Sequence, residues 1–308
     1  MSGVLSGFFI VWALIGVGWL TARTGVLGPH ARYVLNRTTF FLASPALVLV
    51  GLLQSEPAEV LSTPMLVAAL AGLSTGAVLL VALRVLTSRR GVDLVVAAIS
   101  GSMVNGANMG FPIALYVLGD ISHAIPVILF QQAVYTPLYL FVLHSLTQER
   151  RPGPAGVART ILANPTIIAS AVGLALSAAG VQLPEVALQP VRSLADMAIP
   201  AMLLAYGLSL HGSRPFARDD GYRGLIAASS TTKLVVMPLI ALGIGAALGL
   251  RGQDLYEVVV MAALPTAQNV FVAAARYEAA ENLARDTVLV TTIGTVVVLM
   301  VVAVALGA

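Results

Sequence analysis

The chain has 308 residues, 58% of them hydrophobic and only 10% charged, with a formal net charge of +3. Soluble domains carry about 25% charged residues, so this composition excludes a soluble globular protein and implies an integral membrane protein. The absence of cysteine excludes disulfides and thiolate metal sites. The pI of 9.4 does not imply nucleic acid, because the basic residues sit in short loops, where they set membrane topology.

In chain order, apolar runs approach the roughly 20 residues that cross a bilayer. They predict helices over 3–22, 32–52, 64–86, 92–118, 122–146, 160–180, 190–210, 222–249, 255–276 and 285–307. The first run, Val4 to Leu20, has no basic residue before it and is long for a signal sequence, so it is expected to remain as a helix. Gly25-Val26-Leu27-Gly28-Pro29 ends the first span and Ser55-Glu56-Pro57 the second. Arg150-Arg151-Pro152-Gly153-Pro154 marks the longest polar connection and divides the chain into halves, 1–150 and 151–308, of five spans each. No separate soluble domain is expected.

Charge assigns the orientation. Alternate loops hold fourteen basic residues, among them Arg23, Arg84, Arg89, Arg90, Arg150, Arg214 and Arg285. The opposite loops hold Arg192 and Arg251 beside Glu56, Glu59, Asp120, Glu185 and Asp254. The positive-inside rule then puts both termini on the outer side of the cytoplasmic membrane. Five spans per half force the second half to insert inverted relative to the first. Ser44-Pro45-Ala46-Leu47 in the second span echoes Ile199-Pro200-Ala201-Met202 in the seventh, 155 residues on. The fold class expected is therefore all-α: ten transmembrane helices in two inverted five-helix repeats.

The fourth and ninth spans are interrupted at matching places, about 160 residues apart. The first interruption runs from Ile99 to Pro112, through Asn105-Gly106-Ala107-Asn108-Met109-Gly110-Phe111-Pro112, and the second from Met261 to Val270, through Leu264-Pro265-Thr266-Ala267-Gln268-Asn269. Unwound backbone at membrane depth is tolerated only where it is buried in protein or lines a cavity. Paired interruptions in an inverted repeat point to a carrier's binding site. Proline removes a backbone donor, and Asn and Gln supply both donors and acceptors. Helix N-termini beyond each break suit an anion. Asn105, Asn108, Pro112, Pro265, Gln268 and Asn269 are thus the first candidates for substrate binding. A proline kink with amides satisfying freed backbone is the alternative for either break taken singly.

Further residues stand out. Pro45 and Pro200 are expected to kink their helices near mid-span, and Pro45 either shapes a cavity wall or is an ordinary membrane-helix proline. Ser44 offers its hydroxyl to substrate or to its own helix backbone. Lys233, the only lysine, lies about 16 Å along the eighth span at 1.5 Å per residue, too deep for easy snorkelling. An intramembrane cation is a functional candidate by default. Lys233 holds a substrate carboxylate, bonds carbonyls at the breaks or near Pro238, or substitutes for a coupling cation. Asp196 carries a coupling proton or ion, or pairs with Arg192 four residues back. Asp93 and Glu257 suit the starts of the fourth and ninth spans.

Nothing in the sequence assembles a catalytic set, so no enzyme activity, cofactor or metal is expected. Pairs such as Gly72 and Gly76, or Gly245 and Gly249, are expected to allow close helix packing.

These motifs resemble the auxin efflux carrier family. The segment from Asn105 to Pro112 is similar to its signature in the broken fourth helix, and Ala263 to Asn269 to its partner motif in the ninth. Asn164-Pro165-Thr166-Ile167-Ile168 and Ile199 to Gly207 fit its second half. The resemblance covers the whole chain. Only about Thr147 to Arg159 separates the halves, so the chain is similar to the compact bacterial branch, within the bile acid, anion and auxin transporter superfamily. The resemblance implies an organic-anion carrier with helices 4 and 9 crossing near the membrane midplane. It implies that Asn105 contacts substrate and that Pro112 and Pro265 are the crossover prolines. It also implies a mobile body of helices 3–5 and 8–10, and a scaffold of helices 1, 2, 6 and 7 with a possible homodimer contact. The expected function is secondary transport of a small carboxylate, such as malate, malonate or an auxin-like acid, by elevator-type alternating access. The expected partners are that anion and membrane lipid. The alternative is a cation/proton antiporter or sodium-coupled symporter on the same architecture, and a third reading is a receptor or membrane enzyme.

Overall fold

The computed structural model describes residues 2–54, 63–147, 156, 159, 162–181, 183–212 and 221–307. The expected loops Ser55-Glu56-Pro57 and Arg150 to Pro154, and the basic residues Arg214 and Arg218, lie outside the described residues. The helices are α1 (Ser2–Thr24), α2 (Ala31–Leu53), α3 (Thr63–Leu86), α4 (Val92–Ser100), α5 (Asn108–Leu118) and α6 (Ile121–Thr147). They continue with α7 (Pro165–Ala178), α8 (Glu185–Leu210), α9 (Arg223–Ala247), α10 (Gly252–Ala262), α11 (Gln268–Arg276) and α12 (Glu281–Leu306). A helix therefore stands at every expected span, and the fourth and ninth are each split in two. Among the described residues six helices, α2, α3, α6, α8, α9 and α12, are long and apolar enough to cross a membrane. No strand forms there, only one isolated antiparallel bridge.

Proline shapes these helices in a consistent way. Of five wide, π-type turns among the described residues, one (Ala114–Leu118) ends at Gly119 without a proline, and four occupy Thr39–Ala43, Gly106–Gly110, Gln131–Tyr135 and Thr232–Val236. Each of these four is followed by a residue and then a proline: Pro45, Pro112, Pro137 and Pro238. A proline cannot donate to the carbonyl four residues back and its ring crowds it. Widening the preceding turn moves that carbonyl away, and ordinary helix resumes at the proline, where a missing N–H is harmless. The expected kink at Pro45 takes this form. The expected kink at Pro200 does not: α8 runs unbroken through Pro190 and Pro200. One missing ladder bond is tolerated there because Ala198, Ala201, Leu203 and Ala205 are buried and hold the segment against its neighbours.

Two helix starts differ from expectation. The span expected from 160 has its α-helix from Pro165, because Asn164 caps it. The Asn164 Oδ1 accepts from the backbone N–H groups of Thr166 at 2.9 Å and Ile167 at 3.4 Å, with proline at the first helical position. The span expected from 190 begins at Glu185, directly after Pro184.

The chain falls into two compact units. One comprises Met1–Ser62, Ala107–Gln132 and Arg159–Ser213, the other Thr63–Gly106, Ala133–Ala158 and Arg214–Ala308. The resemblance implied whole helices 4 and 5 in one body. The units instead divide both, at the wide turns near 106 and 131, where each helix changes neighbours.

In the first unit, α1 and α8 approach until backbone meets backbone. A Cβ on Gly18 would collide with the Leu204 carbonyl, and a Cβ on Gly207 would collide with the Ile15 carbonyl and lie 2.8 Å from Gly18 Cα. Gly173 of α7 admits Leu52 of α2, and Gly51 of α2 admits Ile121 and Ile125. Small residues at such contacts let membrane helices gain dispersion where lipid removes any hydrophobic drive.

The second unit gathers α3, α4, the later part of α6, and α9 to α12. Gly76 of α3 faces the Tyr135 and Ser102 hydroxyls, Gly245 of α9 faces Leu255 and Val258 of α10, and Gly294 of α12 faces Leu234. Of the expected glycine pairs, Gly76 and Gly245 serve close packing. Gly249 serves a turn instead, with φ of 90° and open space around it. At one end of this unit Arg89 bonds Asp93 at 3.0 Å and the Gly221 carbonyl at 3.2 Å, and its guanidinium lies 4.9 Å from the Tyr222 ring centroid. Tyr222 donates to Asp93 at 3.1 Å. The start of α4 is thereby tied to the start of α9.

Gly207→Val is expected to destabilise the protein by about 2–3 kcal/mol through overpacking, seen as a lower unfolding midpoint in detergent. Gly16→Ala, where a Cβ meets nothing within 4 Å, is expected to leave the midpoint unchanged or slightly raised.

Candidate functional site

The paired interruptions lie against each other in the second unit. The first occupies 101–105, between the end of α4 and a wide turn, and the second 263–267, between α10 and α11. Val104 and Thr266 form the isolated antiparallel bridge. The Asn105 N–H donates to the Pro265 carbonyl at 2.8 Å, and the Ala267 N–H donates to the Met103 carbonyl at 3.0 Å. Residues 101–106 and 263–267 are all buried. Each break thus satisfies backbone groups that the other leaves exposed, as any irregular segment away from water must.

The helix ends at the breaks are closed by side chains together with backbone N–H groups, Gly101 donating to Ala97 at 3.0 Å and Met103 to Ile99 at 2.9 Å. An α-helix leaves its last four carbonyls without partners. At α4, the Ala97 carbonyl accepts from Ser229 at 2.9 Å, Ala98 from Ser102 at 2.6 Å, and Ser100 from Thr266 at 2.6 Å. At α10, the Ala262 carbonyl accepts from the Lys233 ammonium at 2.7 Å and Ala263 from Thr295 at 3.3 Å. The Thr266 N–H donates to Thr291 at 3.0 Å, whose hydroxyl in turn donates to the Thr287 carbonyl at 2.7 Å. Ser102 also shares a 2.5 Å hydrogen bond with the Tyr135 hydroxyl. All these donors except α6's Tyr135 come from the breaks themselves, from α9 or from α12.

The predicted site residues divide between the units. The second unit holds Asn105, Pro265, Gln268, Asn269 and Lys233. Asn105 is 1% exposed and its backbone closes the bridge. Pro265 sits inside the extended segment, where its missing donor costs nothing and its carbonyl is an acceptor. Gln268 and Asn269 open α11, half-buried, at the positive end of a helix. Lys233 is wholly buried and bonds a break carbonyl, one of its three sequence readings.

The first unit holds Asn108, Pro112, Ser44, Pro45 and Asp196. Asn108 is half-buried in the wide turn Gly106–Gly110, and Pro112 lies beyond that turn, where ordinary helix resumes. Pro112 and Pro265 therefore occupy different positions relative to their breaks. Ser44 is buried and Pro45 half-buried, directly after the wide turn of α2. Asp196 is exposed on α8. Its expected pairing with Arg192 gives way to another: Arg192 bonds Glu185 at 2.8 Å, two turns back on the same face. In the first unit Asn164 also donates to Gln132 at 3.1 Å, which ties α7 to α6.

Sequence reasoning missed Thr266, Ser229, Ser102, Thr291 and Thr295. A signal was present. Thr287, Thr291 and Thr295 recur every four residues in a strongly apolar helix, which lines three hydroxyls along one face. Ser229 and Lys233 have the same spacing on α9.

Thr266→Val removes the donor to a buried carbonyl and is expected to cost about 1–3 kcal/mol, measured as a lowered thermal midpoint. Thr266→Ser keeps the hydroxyl and is expected to recover most of that loss.

The chain matches the family model described as Membrane transport protein over residues 4–153 and 155–303. It is 29% identical, over 95% of its own length and 92% of the relative's, to a protein of Rhizobium meliloti (strain 1021) named "Putative malonate transporter". A membrane protein whose two helix breaks are bound back to back, matched along nearly its whole length, belongs to this membrane transport family, the auxin efflux carriers.

Proposed function

We propose that this protein is a secondary carrier of a small organic anion, a carboxylate of the malonate or malate class, across the cytoplasmic membrane. The observation that carries the proposal is the antiparallel pairing of two buried helix breaks through Asn105, Pro265, Met103 and Ala267. Discontinuous helices of this kind bring polar backbone and helix ends to the interior of a transporter. The Asn105 amide is buried beside that pairing, and Gln268 and Asn269 stand at the N-terminal end of α11. Amide donors and a positive helix end recognise carboxylate oxygens while leaving the anion free to depart, as a carrier requires. The relative named for malonate favours the same substrate class.

In this reading the ten spans form two inverted five-helix repeats with both termini outward, and the breaks lie near the membrane midplane. Alternating access is of the elevator type. The unit containing both breaks carries the anion, and the unit built on the α1–α8 glycine contact remains with the lipid as scaffold. Asn108 and Pro112 serve the substrate path, and Ser44 and Pro45 shape the cavity wall. Asp196 is the candidate for a coupling ion.

Asn105→Ala is the decisive test. Its backbone N–H still closes the bridge, so insertion and thermal midpoint are expected to match the wild type. Uptake of radiolabelled malonate or malate into proteoliposomes is expected to fall about tenfold to a hundredfold, the loss of one hydrogen bond to a charged ligand. Undiminished uptake by the variant would remove Asn105 from the site. Sodium-driven proton flux without any carboxylate would replace the proposal with an antiporter.

A further inference from the structure

Lys233 is more than a deep basic residue. It is 0% exposed, and its ammonium has one hydrogen-bond partner among the described residues, the Ala262 carbonyl at 2.7 Å. That length is within the range of charge-assisted bonds. No carboxylate lies within ion-pair distance of it among the described residues. A buried ammonium without a carboxylate keeps its charge only where another negative counterpart faces it. Helix ends provide it. A helix C-terminus is equivalent to roughly half a negative charge, and α4 and α10 both end at the bridged breaks. Together they present about one negative charge, which the ammonium form of Lys233 would balance at that place.

The arrangement on α9 supports this role. Ser229 and Lys233, four residues apart, each bond the end of a different half-helix: Ser229 takes the Ala97 carbonyl of α4 and Lys233 the Ala262 carbonyl of α10. The carbonyls beside them are already served by Thr266 and Thr295. Carbonyls and hydroxyls at the C-terminal ends of broken helices are the oxygen set with which transporters bind sodium or a proton. Here the centre of charge is covalently attached to the chain.

We infer that Lys233 is a tethered cation that takes the place of a soluble coupling cation at the paired helix breaks, so that the protein neither binds nor needs sodium there. The inference rests on the carrier reading for its consequence in transport, but its binding half stands independently. The Lys233→Ala variant exposes the α10 end and leaves room for a small monovalent cation. Its affinity is expected to be low, since the site was built for an attached charge.

The test is thermal unfolding of the purified full chain in sodium, potassium, methylammonium and choline chloride at equal ionic strength, without carboxylate. The wild type is expected to have the same midpoint in all four. Lys233→Ala is expected to unfold about 5 °C or more lower in choline and to regain part of that loss in sodium or methylammonium. A wild type stabilised by sodium over choline overturns the inference. So does a Lys233→Ala variant whose midpoint is the same in all four salts. If Lys233→Ala is recovered folded only in sodium or methylammonium, that supports it. If it is recovered in no salt, malonate uptake by the wild type in choline medium decides: uptake unchanged on adding sodium supports the inference, and uptake that requires sodium overturns it. Failure of carboxylate uptake under every condition, with the salt pattern intact, would instead count against the substrate assignment alone.

Discussion

Two backbone hydrogen bonds, from Asn105 to Pro265 and from Ala267 to Met103, allow this fold to carry extended chain inside a membrane protein. Hydrocarbon offers no water to an unwound segment, and each unsatisfied amide or carbonyl costs several kcal/mol there. Neither break is stable alone. Placed antiparallel, each supplies the partners the other lacks. The hydroxyls of Ser102, Ser229, Thr266 and Thr295 and the Lys233 ammonium then close the helix ends that the breaks create. The polar interior of this unit is a consequence of that constraint.

Proline and glycine divide the remaining work. Prolines 45, 112, 137 and 238 follow wide turns that absorb the missing donor, so a helix bends its ladder without opening it. Pro265 stands in extended chain, where no ladder exists. Glycines set the distances: Gly18 and Gly207 bring α1 and α8 to backbone contact in one unit, and Gly76, Gly245 and Gly294 admit side chains in the other. Between helices in lipid, close approach and shared hydrogen bonds replace the hydrophobic drive of a soluble core.

The sequence by itself determined the class of the protein and the location of its helices. Apolar length requires spanning helices, and a helix stands at every span read from it. The breaks were legible because Asn, Gly and Pro interrupt apolar runs that nothing else interrupts. Several boundaries were not. Pro190 reads as a helix start but lies inside α8, and Asn164 fixes its helix start through a cap that hydropathy does not register. Asp196 and Arg192 have the spacing of a pair, yet Arg192 bonds Glu185, since residues seven apart also share a helix face.

Only the tertiary structure decided which groups meet. The pairing of 101–105 with 263–267 joins segments about 160 residues apart, and no local pattern encodes that register. The same holds for Lys233, whose depth was countable from the sequence but whose partner, the Ala262 carbonyl, is fixed by how α9 packs beside the end of α10. The division of the chain into units near residue 132 was hidden as well, because a helix that changes neighbours halfway keeps one continuous helical span, whereas the division near residue 106 coincides with a break the sequence had marked. Local composition sets what each segment must satisfy in lipid; three-dimensional packing alone selects the distant groups that satisfy it.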